Sequence, residues 1–113
     1  MQPRDRQLLE DIIDASKSIA EFIAPLDEQT FIDSDLHQSA VAFKLLIIGE
    51  ASARLSDELR RQHPAAPWRE AIANRSVMAH GYHSMEWRTV WDTATRDVPG
   101  LQQQITDIVA AGG

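Results

Sequence analysis

Apolar residues recur every three to four positions through the middle of the chain, in a span that contains no proline until His63-Pro64. The repeat consists of Ala40, Phe43, Ile47, Ala51 and Leu55, and it is widened by Val41, Leu45, Leu46, Ile48 and Leu59. This spacing is that of an α-helix with a broad apolar face. The sequence therefore predicts one long helix of about 26 residues from Leu36 onward. We expect it to be the central element, contacted by several neighbours or by another subunit, and Gly49 would let a second backbone approach it closely.

Helical patterns also flank this central segment. A first helix is predicted from about Pro3 to Ala24, and Ser34 or Asp35 is expected to cap the central one. Pro67-Trp68-Arg69 opens a further helix that should run to about Ala79, and Ser84 is a plausible cap for the next. Pro99 starts or bends the last helical segment. No alternating pattern or hairpin signal is found, so we expect one all-α domain over residues 1–113, a bundle of four main helices plus short pieces.

The composition excludes several classes of protein. The chain has 113 residues, a formal net charge of −6 and no cysteine. Without cysteine, disulfide frameworks, thiolate nucleophiles and cysteine-based zinc sites are excluded. No apolar run approaches the roughly 18 residues of a membrane helix, and the N-terminus lacks the pattern of a secretory signal. We therefore expect a soluble, cytoplasmic protein.

The charge is unevenly distributed along the chain. Residues 1–33 hold 3 basic and 8 acidic residues, whereas residues 64–96 hold 4 basic and 3 acidic ones. An acidic protein does not hold nucleic acid by bulk electrostatics, because neutralisation of phosphates by Lys and Arg normally supplies that affinity. Any phosphate-binding surface must therefore be local, and we expect it near Arg69, Arg75 and Arg88.

One cluster of residues carries the chemistry for such a surface. Between two predicted helices, Arg75, His80 and Tyr82 place a permanent cation, an imidazole and a phenol within eight residues. RNA cleavage without a metal requires one group that moves the proton of the 2′-hydroxyl and another that stabilises charge on the phosphate. Histidine titrates near cellular pH, and the guanidinium offers a fork of donors that matches phosphate oxygens. We predict Arg75 and His80 as the catalytic pair.

These residues resemble a known motif. Arg75 to Tyr82 is similar to the R-x4-H-x-Y motif of HepT-like proteins, the ribonuclease toxin branch of the HEPN superfamily. The likeness spans most of residues 36–105. It includes an I-G-E-A segment at Ile48-Gly49-Glu50-Ala51, a P-W-R helix start at Pro67-Trp68-Arg69, and Val90-Trp91 in register.

The resemblance implies a fold and a function. The protein would be a HEPN-like helical homodimer that cuts single-stranded RNA without a metal or cofactor, with two Arg75–His80 pairs lining a groove at the interface. It would be the toxin of a type VII toxin–antitoxin system. A minimal nucleotidyltransferase antitoxin would neutralise it by adding AMP to Tyr82. Ser76 stands where a polar amide commonly follows the family's arginine, and it can donate a hydrogen bond to phosphate.

Each of these residues also has a simpler interpretation. An Arg, a His and a Tyr near a helix end are, singly, more often surface groups or caps. Glu50 could orient Arg75 or His80, or it could pair with Arg54 one turn later. His80 and His83 lack a nearby carboxylate cluster, so no metal site is predicted.

The sequence leaves two alternatives open. One is a catalytically inactive helical module that binds a nucleotidyltransferase, and the other is a structural dimerisation domain. Trp68, Trp87 and Trp91 are expected to pack the core, although Trp87 could instead stack on a base.

Overall fold

The computed structural model describes residues 1–77 and 85–112, and within these ranges it contains helices and turns but no strand. The helices are α1 (Pro3–Ile23), α2 (Glu28–Ile32), α3 (Asp35–Arg54), α4 (Asp57–Gln62), α5 (Trp68–Ala73), α6 (Trp87–Asp92) and α7 (Val98–Ala110). A 3₁₀ turn follows α5 at Asn74–Ser76, and a π-helical segment joins α6 to α7 at Thr93–Asp97. The prediction of an all-α, HEPN-like bundle is confirmed.

The core lies where α1 packs against both α3 and α7. Its fully buried side chains include Leu9, Ile12 and Ile19 from α1, Leu45 and Ile48 from α3, and Ile105 from α7. The residues from α1 and from α3 lie three or seven positions apart, and in α7 Leu101 and Ile108 are buried four residues before and three residues after Ile105. These spacings are the repeat of one helical face. The predicted apolar patterns therefore point towards this shared core.

The prediction of a single long central helix is wrong. The helix is interrupted at Leu55, whose extended backbone (φ −60°, ψ 146°) ends α3. Ser56 then caps α4 by accepting a hydrogen bond from the backbone N–H of Leu59 at 3.2 Å. The buried carboxylate of Asp5 in α1 accepts from the backbone N–H of Ser56 at 2.9 Å and from its hydroxyl at 2.7 Å. This contact holds the chain at the break. The spacing of apolar residues gives no indication of it, so the interruption was not predicted.

Two further helix boundaries differ from the prediction. The α-helix expected to run to about Ala79 ends at Ala73 and tightens into the 3₁₀ turn. The segments before and after Pro99 form one continuous helical path, because α6, the π-helical segment and α7 follow one another directly. The backbone N–H of Val98 bonds to the carbonyl of Thr93, five residues earlier. A widened turn accommodates a proline that cannot donate to the residue four positions before it.

Phe31 of α2 holds the start of α6 in place. Its ring is fully buried, and it contacts Trp87 edge-on at 6.1 Å and Trp91 at 5.3 Å between ring centroids. Trp68 packs against the core from α5, and its indole N–H donates to the carbonyl of His63 at 2.9 Å. All three tryptophans therefore pack against the core as expected, and Trp87 and Trp91 fix α6 just after the motif segment.

No helix within the described part of the chain is long and apolar enough to cross a membrane.

Candidate active site

Arg75 lies in the 3₁₀ turn that follows α5, and its side chain is exposed. Within residues 1–77 and 85–112, its guanidinium takes part in none of the ion pairs, which join Arg6 to Glu10, Arg60 to Asp57 and Arg88 to Glu28. A guanidinium that no carboxylate neutralises keeps all its donors available for a phosphate. The structure thus places Arg75 where it can bind an anion from solution.

Gly49 of α3 determines where the backbone of Arg75 lies. A Cβ atom built on Gly49 would come within 2.1 Å of the backbone nitrogen of Arg75, 2.6 Å of its Cα and 2.7 Å of its Cβ. Only glycine allows the turn to approach the helix so closely. The sequence predicted that Gly49 permits the close approach of a second backbone, and the structure identifies that backbone as the one that carries Arg75.

His80 and Tyr82 lie outside the described residues, as do Gly81, His83 and Ser84. The predicted pairing of His80 with Arg75 and the accessibility of Tyr82 therefore stay predictions. The described residues on either side are Val77 and Met85, which both pack against the core.

Ser76 and Glu50 are both exposed. Ser76 follows Arg75 in the same 3₁₀ turn, and Glu50 follows Gly49 in α3. Among the described residues Glu50 forms no ion pair, so the alternative pairing with Arg54 is not observed. The geometry brings Ser76 and Glu50 to the region of Arg75 without showing a contact between them.

The local basic surface is smaller than expected. Arg69 is exposed on α5, one helix before Arg75, whereas Arg88 donates to Glu28 at 3.1 Å. This exposed pair between α6 and α2 partly neutralises Arg88. Of the three arginines predicted to face phosphate, Arg69 and Arg75 are the ones without a carboxylate partner in the ranges described.

A groove beside Arg75 was not predicted. It has a volume of about 230 Å³ and lies between α5 and the helical path through the π-helical segment into α7. The polar residues in its lining are Glu70, Asn74, Thr93 and Asp97. In the sequence Glu70 is simply an acidic residue at the start of a predicted helix. Nothing relates it to Asp97, which lies 27 positions later. Asn74 stands directly before Arg75, and this position was the one signal in the sequence that could have indicated a site beside the arginine.

Comparisons with known proteins extend over most of the chain. The chain matches the family model described as "Ribonuclease HepT-like" over residues 12–108. It is 35% identical over 102 residues to a protein of Thermococcus cleftensis named "Probable ribonuclease HepT", a match that covers 90% of this chain and 93% of the relative. It is 30% identical over 106 residues to "Putative RNase MJ1380" of Methanocaldococcus jannaschii, a match that covers 93% of this chain and 97% of the relative. No solved structure matches.

The family match includes α3 with Gly49, the turn with Arg75 and the motif segment that follows it. It confirms the predicted resemblance and, at the level of the family, the prediction of an endoribonuclease. The chain belongs to the HepT-like ribonuclease family.

Proposed function

We propose that the protein is a metal-independent endoribonuclease toxin in which Arg75 and His80 cleave single-stranded RNA. The observation that carries the proposal is the contact between Gly49 and the backbone of Arg75. A rigid helix fixes the arginine backbone, while the guanidinium stays exposed and free of carboxylates within the described residues. A preorganised cation of this kind stabilises charge that develops in a transition state.

The proposed reaction is an internal transfer of the phosphate. His80 removes the proton of the 2′-hydroxyl, and the 2′-oxygen forms a bond to phosphorus while the bond from phosphorus to the 5′-oxygen breaks. The imidazolium then returns a proton to the leaving 5′-oxygen. The products are a 2′,3′-cyclic phosphate and a 5′-hydroxyl, and Arg75 binds the phosphate oxygens throughout. Ser76 would add a hydrogen bond to the phosphate, and Glu50 would help to orient the pair.

A second copy of the chain would complete the RNA-binding groove expected at the dimer interface. The outer face of α3 carries Leu36, which is 73% exposed, and Phe43, which is 57% exposed. Ala40 and Ile47 share this face at spacings of three and four residues and are only partly buried. We call these four residues the α3 stripe. Large apolar side chains in one exposed row are typical of a protein interface, and we propose that the stripe binds the stripe of a second subunit.

The stripe lies near the site without covering it. Since each helical residue turns by about 100°, Gly49 lies about 120° around α3 from Phe43, whereas Glu50 continues the line of the stripe. A second copy bound there would form a wall beside the turn that carries Arg75. The guanidinium would stay open to RNA.

The test of the proposed activity is RNA cleavage in the presence of a chelator. The wild-type chain should cut a labelled, mixed-sequence, single-stranded RNA. Arg75→Ala and His80→Ala should each reduce the rate by about a hundredfold or more while leaving helicity unchanged. Arg61→Ala, which removes an exposed arginine of α4, is the matched control and should keep its activity. A folded wild-type chain that leaves RNA intact would refute the proposed activity.

We also propose that a minimal nucleotidyltransferase antitoxin neutralises the toxin by adding AMP to Tyr82. The added phosphate would bring bulk and negative charge close to where the substrate phosphate binds. Co-expression with a nucleotidyltransferase encoded beside this chain should raise the mass of the protein by whole AMP units. Tyr82→Phe should abolish the addition, and a shift that persists in this variant would contradict the assignment.

A further inference from the structure

The groove between α5 and α7 combines a buried apolar floor with a polar rim. Its floor includes Ala71, Val98 and Leu101, each no more than 4% exposed. Glu70 and Asn74 line one side, and Thr93 and Asp97 line the other. A volume of about 230 Å³ is slightly below the roughly 300–1,000 Å³ of pockets that enclose whole drug-sized ligands. The groove therefore has room for one small ring system rather than for a larger ligand.

The rim offers a defined set of hydrogen-bonding groups. The carboxylates of Glu70 and Asp97 can only accept, whereas the amide of Asn74 and the hydroxyl of Thr93 can also donate. Within the described ranges neither carboxylate belongs to one of the ion pairs, so both are available to a ligand. A ligand with several N–H donors next to an acceptor would use all of these groups.

The π-helical segment is a second feature of the same groove. Thr93 and Asp97 are its first and last residues, and the hydrogen bond from Val98 to Thr93 widens the helix at this point. A π-helical turn is rare and is found frequently at functional sites. The widened turn faces α5 immediately beside the residue that precedes Arg75.

We propose that this groove binds a guanine of the RNA substrate next to the scissile phosphate. The edge of guanine presents the N1–H and N2–H donors beside the O6 acceptor. The carboxylates of Glu70 and Asp97 accept from the donors, and the amide of Asn74 donates to O6. Arg75 is the next residue of the same 3₁₀ turn, about one third of a turn further round, so we place the phosphate of a base bound in the groove on the side of Arg75. This inference rests on the proposed ribonuclease function and adds the base preference of the same site.

Other ligands match the rim less well. Uracil presents a single N–H donor, and adenine and cytosine each present one amino group, so none supplies two adjacent donor positions to the carboxylates. An arginine from a protein partner could donate to both carboxylates and to the Asn74 carbonyl oxygen, but its guanidinium has no acceptor for the N–H groups of the Asn74 amide. The chemistry of the rim thus favours guanine over the other bases.

The test measures binding without cleavage. Pentanucleotides with a central G, A, C or U in a U background are given 2′-fluoro groups, so that the attacking hydroxyl is absent. We expect the wild-type chain to bind the G-containing strand at least about fivefold more tightly than the U-containing one. A pair of hydrogen bonds to one base provides a preference of at least this size. Equal affinity for all four strands would overturn the proposal and favour a cationic side chain of a protein as the ligand.

A charge-matched pair of variants separates base recognition from general electrostatics. Glu70→Gln with Asp97→Asn should abolish the preference for G. Asp14→Asn with Glu21→Gln removes the same charge from exposed positions of α1 and should preserve the preference. Loss in both pairs, or in neither, would overturn the assignment. A preference for G in a chain that never cuts RNA would refute the proposed ribonuclease activity and support the base site. Cutting without any base preference would support the ribonuclease activity and refute the base site.

Discussion

At the scale of single residues, the backbone contact between Gly49 and Arg75 explains why a glycine stands in the middle of the central helix. Glycine in a helix interior costs about 0.5–1 kcal/mol relative to alanine, so its presence needs a packing reason. The reason is the close approach of the arginine turn. The sequence permitted the inference that a second backbone lies against Gly49, because a glycine among large apolar residues is a strong local signal, but it did not identify that backbone.

Gly49→Ala should therefore destabilise the protein and disturb its site. The added Cβ meets backbone atoms of Arg75 closer than 3 Å, so the turn must move. We expect a loss of about 1–3 kcal/mol in the free energy of unfolding, measured by urea denaturation, together with reduced RNA cleavage. Gly100→Ala is the control: its Cβ would have nothing within 4 Å, so stability should be unchanged or raised by up to about 1 kcal/mol. Equal effects of the two substitutions would contradict this role for Gly49.

Asp27 gives the protein a specific dependence on acid. Its carboxylate accepts from the hydroxyl of Thr30 at 2.6 Å and from the backbone N–H of Thr30 at 2.8 Å. These two hydrogen bonds lower the pKa of Asp27 from 3.8, and the bond from the hydroxyl is the larger cause. A carboxyl whose pKa is lower in the folded state stabilises the protein above its unfolded value and loses that contribution as pH falls through the folded value. The stabilisation should therefore be complete at neutral pH and decline below about pH 4.

The measurement compares wild type with Asp27→Asn in urea from neutral pH to strong acid. The variant should be less stable at neutral pH, and the difference should narrow below about pH 4. Thr30→Val removes the hydroxyl donor and should weaken this pH dependence. A difference that grows on acidification would contradict the direction of the shift.

At the scale of helices, apolar spacing predicted most elements but not their ends. The core faces of α1, α3 and α7 follow from their repeats. The break after α3 could not be predicted in the same way, because it depends on a carboxylate 51 residues away in the sequence. The π-helical segment was missed because Pro99 suggested a start or bend, whereas a widened turn absorbs the proline.

Asp5→Ala tests what holds the break. It removes both carboxylate oxygens that accept from Ser56 and leaves a partly buried backbone N–H without its partner. We expect a loss of about 2–3 kcal/mol in the free energy of unfolding, since hydrogen bonds to a charged group are worth more than neutral ones. Asp14→Ala, at an exposed position of the same helix, should change stability by less than about 0.5 kcal/mol. A negligible effect of Asp5→Ala would show that α3 and α4 separate without this contact.

At the scale of the whole molecule, the family and fold could be predicted from sequence, whereas the spatial arrangement of the site could be predicted only in part. A close backbone approach at Gly49 could be predicted, but only the structure shows that the approaching backbone is that of Arg75. The groove that contains Glu70 and Asp97 could not be predicted, because it forms between α5 and the path from the π-helical segment into α7, which meet only through tertiary packing. Local patterns carry no information about such a space.

The proposed homodimer makes one direct prediction at this scale. Phe43→Glu places a charge in the middle of the α3 stripe and should convert a dimer to a monomer, as measured by light scattering after size exclusion. Ala20→Glu adds the same charge at an exposed position of α1 and should leave the dimer intact. A dimer that survives Phe43→Glu would move the interface away from the stripe.

The chemistry of the cut RNA ends tests the central claim most directly. We predict that RNA cut by the wild-type chain in chelator carries a 2′,3′-cyclic phosphate on the upstream fragment and a 5′-hydroxyl on the downstream one. A single 2′-deoxy substitution before the scissile phosphate should stop the cut at that bond. Fragments with a 3′-hydroxyl and a 5′-phosphate, or undiminished cutting at the deoxy position, would contradict catalysis by Arg75 and His80 through the 2′-hydroxyl.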